Sequence, residues 1–227
     1  MRVDTYRHKG MREQLCDLLR EQEQIAHLRQ IGISDELVQT AMRKVCRHWF
    51  IDSSLDNMAY EDRALPILCD QTISQPSTVA LQSQLLELKP GMKVLEVGTG
   101  SGYQTAVLCA MGAKVFSIER QKGLFDKTKR LLMELHYTAK CFLGDGYQGI
   151  TEIDCSPYDR VLITCGAPYV PQPLMEQLVV GGIMVIPLGE GTQRMIRIHK
   201  KGETPDSWVM EEYGDCQFVP MLGGKNF

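Results

Sequence analysis

The residues best suited to chemistry lie in a glycine-rich segment near the middle of the chain. Residues 94–97 predict a short buried strand, and glycines follow at positions 98, 100 and 102, just before an apolar helix. Such a strand-to-helix turn is typical of ligand sites at the carboxyl edge of a parallel sheet. A dinucleotide loop requires Gly-x-Gly-x-x-Gly, and Tyr103 stands where the third glycine would be. The spacing therefore favours a loop that lies flat against an uncharged nucleoside over one that cradles a pyrophosphate.

Acidic residues extend this pattern to three strand ends. Glu96 can face an ammonium group, and Glu119, which ends the next predicted strand, can accept hydrogen bonds from both hydroxyls of a ribose. Asp145 follows the third strand, beside Gly146, and is placed to accept a proton from an adenine amino group. Each feature alone could be a tight turn or a solvated acid. Together they predict S-adenosyl-L-methionine (AdoMet) as the cofactor.

The cysteines and histidines show no comparable pattern. The eight cysteines are scattered without Cys-x-x-Cys spacing, which argues against a metal site or a disulfide framework and indicates a reducing compartment. His27, His48 and His136 lie in mixed-polarity helical contexts typical of packing or surface residues. Cys165 follows a predicted strand near the expected cleft, where a buried inert thiol is expected.

Composition and charge exclude several classes of protein. The 227 residues are 44% hydrophobic and 23% charged, as in a globular domain with one core. Lys and Arg number 25 against 28 Asp and Glu, giving a net charge of −3, so no nucleic-acid partner is expected. The first residues lack the apolar core of a signal peptide, and no apolar run is long enough to cross a membrane. We therefore expect a cytoplasmic protein with no membrane partner.

Hydrophobic spacing predicts two amphipathic helices over 11–30 and 34–45, followed by an irregular connection over 52–76. From residue 77 onward, helices alternate with short strands, which predicts a parallel sheet covered by helices. The last two apolar runs, 195–199 and 208–220, should pair as an antiparallel hairpin at the sheet edge. We predict an N-terminal helical lobe with the active-site segment over 1–76 and a cofactor-binding core over 77–227.

Longer motifs run along the whole chain. They are Ala59-Tyr60-Glu61-Asp62, Leu65-Pro66-Ile67, Gln71-Thr72-Ile73-Ser74-Gln75-Pro76, Glu96-Val97-Gly98-Thr99-Gly100-Ser101-Gly102, Gly144-Asp145-Gly146, Pro157-Tyr158-Asp159, Ala167-Pro168, Pro171-Gln172-Pro173-Leu174, Gln177-Leu178 and Phe218-Val219-Pro220. With these motifs the chain resembles the protein-L-isoaspartate O-methyltransferase family over essentially its whole length. The resemblance implies an α/β, Rossmann-like methyltransferase fold: a mostly parallel seven-stranded sheet with an antiparallel last strand and an N-terminal helical lobe.

The resemblance also implies roles for individual residues. Ser74 matches the family's active serine, in a segment that lies over the transfer site, and Thr72, Val219 and Pro220 border the peptide substrate. The implied cofactor contacts are Ile73, Gln75, Pro76, Glu96, Gly98, Thr99, Gly100, Ser101, Gly102, Glu119, Asp145 and Gly146.

The implied reaction joins the α-carboxylate of an isoaspartyl residue to the methyl group of AdoMet, giving a methyl ester and S-adenosyl-L-homocysteine (AdoHcy). The ester closes to a succinimide, which water opens, and repair begins. A carboxylate is already ionised at neutral pH, so no strong general base is required. The expected partners are isoaspartyl peptides and proteins, and the expected state is a monomer.

Three alternatives stay open at this point. From spacing alone, Ser74 could cap the helix that begins near residue 77. The chain could be an AdoMet enzyme for a small molecule or a nucleic-acid base, although the aromatic Asn/Asp-Pro-Pro element of base methylases is missing after strand 160–164. It could also be an AdoMet-binding adaptor without turnover. The segment Leu68-Cys69-Asp70, where family members commonly have glycines, and Ser77, where a bulky residue is common, depart from the family pattern and concern peptide selectivity.

Overall fold

The computed structural model describes residues 3–21, 32–152 and 154–226. Its N-terminal lobe contains helices α1 (Tyr6–Glu21) and α2 (Glu36–Lys44) and two short 3-10 helices, Arg47–Phe50 and Ser53–Met58. Asp35 is the N-cap of α2, because its carboxylate accepts hydrogen bonds from the backbone N–H groups of Leu37 and Val38. The second predicted helix is confirmed. The first begins at Tyr6 instead of residue 11, and its predicted part beyond residue 21, including His27, lies outside the described residues.

The connection predicted as irregular contains a small hairpin. Strands β1 (Leu65–Pro66) and β2 (Thr72–Ile73) pair antiparallel, with Leu65 opposite Ile73. Cys69 and Asp70 make the turn with φ angles of 59° and 54°, a conformation that costs side-chain-bearing residues energy. The hairpin leads directly into α3 (Pro76–Leu85), whose first turn carries the proline.

Strands and helices alternate in the rest of the chain. They are β3 (Lys93–Val97), α4 (Tyr103–Ala110), β4 (Lys114–Glu119), α5 (Lys122–Glu134), β5 (Ala139–Leu143), β6 (Tyr158–Ile163), α6 (Gln172–Glu176), β7 (Leu178–Leu188), β8 (Gln193–Lys200) and β9 (Trp208–Cys216). The seven strands from β3 onward form one sheet in the order β5-β4-β3-β6-β7-β8-β9. Strands β3 to β7 are parallel, and β8 pairs antiparallel with both β7 and β9. The Rossmann-like sheet and its antiparallel terminal hairpin are confirmed.

The centre of the sheet is buried on both faces. Val94 and Leu95 of β3 and Val161 and Leu162 of β6 are all 0% exposed, as expected where helices cover both faces. The lobe packs into the same hydrophobic core, and the ring of Phe50 lies 5.7 Å from that of Tyr103 in α4. The boundary at residue 76 stays a prediction. Within the described ranges, no helix is both long and apolar enough to span a membrane.

Candidate active site

A cleft opens at the carboxyl ends of β3, β4 and β6. It is lined by residues 71–74, 79, 97–101, 103–104, 118–121, 146, 164–165 and 219–222. Parallel strands end at the same sheet edge, so turns that are distant in sequence meet there. The cleft therefore brings together the glycine-rich loop, Glu119, Gly146, the segment that carries Ser74, and the segment 219–220.

The glycine-rich loop is shaped by positive φ angles. Gly98 has a φ of 97°, and a Cβ atom there would lie 2.5 Å from the Thr164 hydroxyl oxygen. That hydroxyl is within hydrogen-bond distance of the carbonyls of Val97 and Gly98, at 2.9 and 2.7 Å. At Gly100, by contrast, an added Cβ would meet only Ile67, at 3.9 Å. Gly100 has room around it, unlike Gly98, and it lines the cleft.

Glu119 is fixed by the loops around it. Its Oε2 accepts a hydrogen bond from the Gly100 amide and its Oε1 accepts one from the Gln121 amide, both at 2.9 Å. The residue is only 5% exposed and lines the cleft. Each carboxylate oxygen keeps a lone pair for a further donor. A pair of vicinal hydroxyls from a ribose fits this acceptor.

Glu96 is not among the residues that line the cleft, and its predicted contact with an ammonium group stays a prediction. Successive side chains of a strand point to opposite faces, and Glu96 points away from the cleft toward α4. There its Oε2 accepts hydrogen bonds from Thr105 at 2.5 Å and Ser117 at 2.6 Å. The residue is 0% exposed, and its Oε1 has no hydrogen-bond partner in the part of the chain that the structure describes. Burial raises the pKa of its carboxyl to about 7. Glu96 therefore supports the cleft floor from below.

Asp145 lies at the rim and binds the C-terminal segment. Its Oδ1 accepts a hydrogen bond from the Tyr147 amide at 2.9 Å, and its Oδ2 accepts one from the Gly224 amide at 2.7 Å. Asn226 continues this contact by pairing its backbone with Arg120 and Lys122. The C-terminal residues thus connect the rims that follow β4 and β5. Of the predicted cofactor contacts, those that do not line the cleft are Gln75, Pro76, Glu96, Gly102 and Asp145.

Ser74 lies in the cleft and does not cap α3. The N-cap of α3 is Gln75, and the backbone N–H of Ser77 donates to the Asp62 carboxylate at 2.8 Å. Asp62 therefore performs the capping function that spacing allowed for Ser74. Among the described residues, no hydrogen bond uses the Ser74 hydroxyl, so that group can donate to a bound substrate. Thr72 is exposed beside it, and Ile73 is buried.

The opposite wall of the cleft is the segment that contains Val219 and Pro220. It runs alongside Gly166, whose amide donates to the Val219 carbonyl and whose carbonyl accepts from the Met221 amide, both at 2.8 Å. Leu222 at the end of this segment is 51% exposed. The wall is therefore held by backbone hydrogen bonds and offers an apolar rim to an extended polypeptide.

Sequence reasoning missed Arg47, a buried residue behind the Ser74 segment. It is 0% exposed, and its guanidinium donates to the Ser74 carbonyl at 3.0 Å. Its position between Cys46 and His48 gave no motif that pointed to this contact. The sequence signal for this contact is one arginine, Arg47, just before the apolar residues Trp49, Phe50 and Ile51.

Neither Cys165 nor the cluster of Asp4, Cys46 and His48 has surroundings suited to a nucleophile or a metal site. Cys165 lines the cleft, and burial raises its pKa to about 12, so it is a protonated thiol at neutral pH. Asp4, Cys46 and His48 offer ligand atoms within 4.8 Å of one another. The guanidinium of Arg12, however, already donates to Asp4 and to the Cys46 sulfur. The positively charged Arg12 side chain therefore uses the ligand atoms of Asp4 and Cys46 that a metal ion would need.

Comparison with known proteins agrees with this geometry. The family model described as protein-L-isoaspartate(D-aspartate) O-methyltransferase matches residues 19–226. Proteins named protein-L-isoaspartate O-methyltransferase from Cytophaga hutchinsonii and Christiangramia forsetii are both 52% identical to this chain; they cover 97% and 98% of it and 94% and 99% of their own lengths. A solved structure described as a protein-L-isoaspartate O-methyltransferase from Plasmodium falciparum in complex with AdoHcy has a TM-score of 0.76 at 25% identity, over 95% of this chain and 98% of that one. Another solved protein-L-isoaspartate O-methyltransferase has a TM-score of 0.79 at 28% identity, over 93% of this chain and 66% of that one.

Proposed function

This chain belongs to the protein-L-isoaspartate(D-aspartate) O-methyltransferase family, and we propose that its cleft holds AdoMet with Ser74 beside the transferred methyl group. The protein is an AdoMet-dependent enzyme that methylates the α-carboxylate of isoaspartyl residues in damaged proteins. The products are the methyl ester and AdoHcy. The neighbouring backbone nitrogen of the substrate then attacks the ester carbonyl and methanol leaves, which closes a succinimide without the enzyme and begins the repair.

The cleft residues fit AdoMet in two respects. The Glu119 carboxylate, fixed by two backbone amides, is a ready acceptor for the ribose hydroxyls. Gly98 and Gly100 line the cleft without side chains, which allows close approach of a flat nucleoside. We infer that Asp145 and Gly146 border the adenine and that 98–101 and Ile73 surround the remainder. Bound AdoMet supplies an electrophilic methyl group on a sulfonium centre.

The chain's own contribution to the reaction is alignment. The substrate carboxylate needs no deprotonation, because its pKa lies well below neutral pH. We infer that the Ser74 hydroxyl donates a hydrogen bond to this carboxylate and directs one oxygen at the methyl group, while Thr72, Val219 and Pro220 hold the flanking peptide. Correct placement of two reactants can lower a barrier by roughly 7–11 kcal/mol.

The observation that carries this assignment is the placement of Ser74. Its hydroxyl shares one cleft with Glu119, and the capping function that would have explained it otherwise belongs to Asp62. An AdoMet-binding adaptor would not need a donor there.

Paired peptides test the function directly. The purified protein is incubated with methyl-labelled AdoMet and two synthetic peptides that differ only in an isoaspartyl or a normal aspartyl linkage. We expect base-labile label in the isoaspartyl peptide and little in its partner. Equal labelling of both peptides would refute the substrate assignment, and AdoMet binding without any labelling would favour the adaptor.

We further propose that the enzyme works as a cytoplasmic monomer with no nucleic-acid partner. The eight cysteines are free, as expected in a reducing compartment. The net charge of −3 gives no overall attraction for a polyanion.

A further inference from the structure

Arg47 joins three separate points of the chain behind the active-site segment. Its Nη1 donates to the Ala59 carbonyl at 2.7 Å, and its Nη2 donates to the carbonyls of Arg63 and Ser74, both at 3.0 Å. Ser74 is 27 positions away from Arg47 in the sequence. One planar guanidinium therefore sets the spacing between the first 3-10 helix, the loop 59–63 and the strand end that carries Ser74.

The same guanidinium also contacts the start of α4, which follows the glycine-rich loop. Its Cζ lies 5.7 Å from the centroid of the Tyr103 ring. Tyr103 begins α4 directly after Gly102, lines the cleft, and donates its amide to the Ser101 hydroxyl at 3.2 Å. Arg47 thus touches the Ser74 segment through a carbonyl, and it touches the first residue of α4, next to the glycine-rich loop, through an aromatic ring.

Packing alone does not explain a charged residue at this position. Arg47 is 0% exposed, its Nε has no hydrogen-bond partner, and no ion pair involves it within the described ranges. Asp62, the carboxylate whose charge acts on it, accepts a hydrogen bond from Ser77 instead. Burying a cation without an ion pair is costly, and the three hydrogen bonds to backbone carbonyls offset that cost. Arg12 in the same lobe differs, because it pairs with Asp4 at 2.9 Å.

We propose that Arg47 is a positioning residue for methyl transfer, which holds the Ser74 main chain at a fixed place relative to the glycine-rich loop. Arg47 itself contacts neither cofactor nor peptide, because it lies behind the cleft wall and is not part of its lining. Its effect reaches the reaction through the Ser74 hydroxyl. The inference rests on the proposed function, since Ser74 aligns a substrate only in that reaction.

Arg47→Lys and Arg160→Lys form a matched pair for the test. Arg160 is also buried and also donates to three backbone carbonyls, those of Leu86, Glu87 and Asp159, but it is not part of the cleft lining. Lysine keeps the charge in both variants and loses the planar fork. Steady-state kinetics, AdoHcy binding by calorimetry and hydrogen exchange of peptides covering 59–75 are measured for both variants and the wild type.

For Arg47→Lys we expect kcat with an isoaspartyl peptide to fall by about tenfold or more, AdoHcy Kd to stay within about twofold, and exchange over 59–75 to accelerate. For Arg160→Lys we expect a lower melting temperature with kcat within about twofold of wild type.

Three results would overturn the inference. They are an equal loss of kcat in both variants, an unchanged kcat in Arg47→Lys, and an AdoHcy Kd of Arg47→Lys that rises by the same factor as kcat falls. So would failure of Arg47→Lys to fold while Arg160→Lys folds, because Arg47 would then support the lobe as a whole. If wild-type protein does not methylate the isoaspartyl peptide, the proposed function fails. The exchange experiment then still decides whether Arg47 holds residues 59–75.

Discussion

Replacement of Glu119 by glutamine separates cofactor binding from chemistry. The carboxylate accepts backbone hydrogen bonds from Gly100 and Gln121, both at 2.9 Å, and it is 5% exposed. Glutamine has the same shape but one acceptor oxygen and one NH2 group. One of the two amides must therefore face another donor, and the ribose hydroxyls lose a charged acceptor.

The expected loss in AdoMet affinity follows from these bonds. A buried amide left without an acceptor costs about 1–3 kcal/mol. A hydrogen bond to a charged group contributes about 1.5–3 kcal/mol, against about 0.5–1.5 kcal/mol for a neutral one, so the ribose contact loses about 1 kcal/mol. The first cost is present in the empty protein as well, so it lowers the free energy of unfolding and cancels from binding. The loss in binding is about 1 kcal/mol for each ribose hydroxyl, or about 1–2 kcal/mol, which raises Kd by roughly 5- to 30-fold.

Isothermal titration with AdoHcy measures this loss, and kinetics at saturating AdoMet measure the chemical step. We expect kcat of Glu119→Gln to stay within about threefold of wild type, since the Ser74 segment is untouched. Asp126→Asn is the control, because Asp126 forms an exposed ion pair with Lys122 on α5 and does not line the cleft. Affinity of Glu119→Gln within about twofold of the control would refute the assigned ribose contact.

Three further substitutions probe the serine, the cleft floor and the glycine-rich loop. Ser74→Ala removes one hydrogen bond to a charged substrate and should lower kcat by about 10- to 100-fold, with AdoHcy Kd unchanged by calorimetry. Burial raises the pKa of Glu96 from 4.5 to about 7, so the folded state keeps a proton that the unfolded state releases. The free energy of unfolding should therefore fall by about 3 kcal/mol as pH rises from 4.5 to 7. Glu96→Gln should remove this pH dependence, as measured by denaturant titrations at several pH values. Gly98→Ala should lower the free energy of unfolding by about 2–4 kcal/mol, because φ is 97° and the new Cβ would lie 2.5 Å from the Thr164 hydroxyl. Gly10→Ala in α1 is the control: its new Cβ meets no atom within 4 Å, and the free energy of unfolding should rise by about 0.5–1 kcal/mol.

Specific results would contradict each expectation. Equal effects of Ser74→Ala on AdoHcy affinity and on kcat would place Ser74 in the cofactor site. A slope with pH that persists in Glu96→Gln would mean that another group titrates. Equal stability of Gly98→Ala and wild type would show that the loop does not require glycine at that position.

The cofactor side of the cleft could be predicted from sequence because local patterns determine it. A buried strand followed by alternating glycines identifies a turn, and parallel strands bring Glu119 to the same edge without any knowledge of distant contacts. The direction of the Glu96 side chain could not be predicted, also for a local reason. An acidic residue beside the glycines suggested a contact with the cofactor. In a strand buried on both faces, however, both faces are apolar, so the sequence does not indicate that the Glu96 side chain points toward α4.

The support behind Ser74 could not be predicted in the same way. Arg47 binds three carbonyls and Asp62 binds an amide, and backbone groups are identical at every residue. Contacts of this kind follow from the tertiary fold alone. For the same reason, spacing could not decide whether Ser74 or another residue caps α3, whereas the structure assigns that function to Asp62.

A crystal structure of the complex with AdoHcy and an isoaspartyl peptide tests the central claim most directly. We predict that the ribose hydroxyls donate to Glu119 and that the Ser74 hydroxyl lies about 3 Å from the isoaspartyl carboxylate. A second groove lies beside Trp49 and Lys127. A nucleoside bound in that groove, or a peptide carboxylate out of reach of Ser74, would contradict the claim.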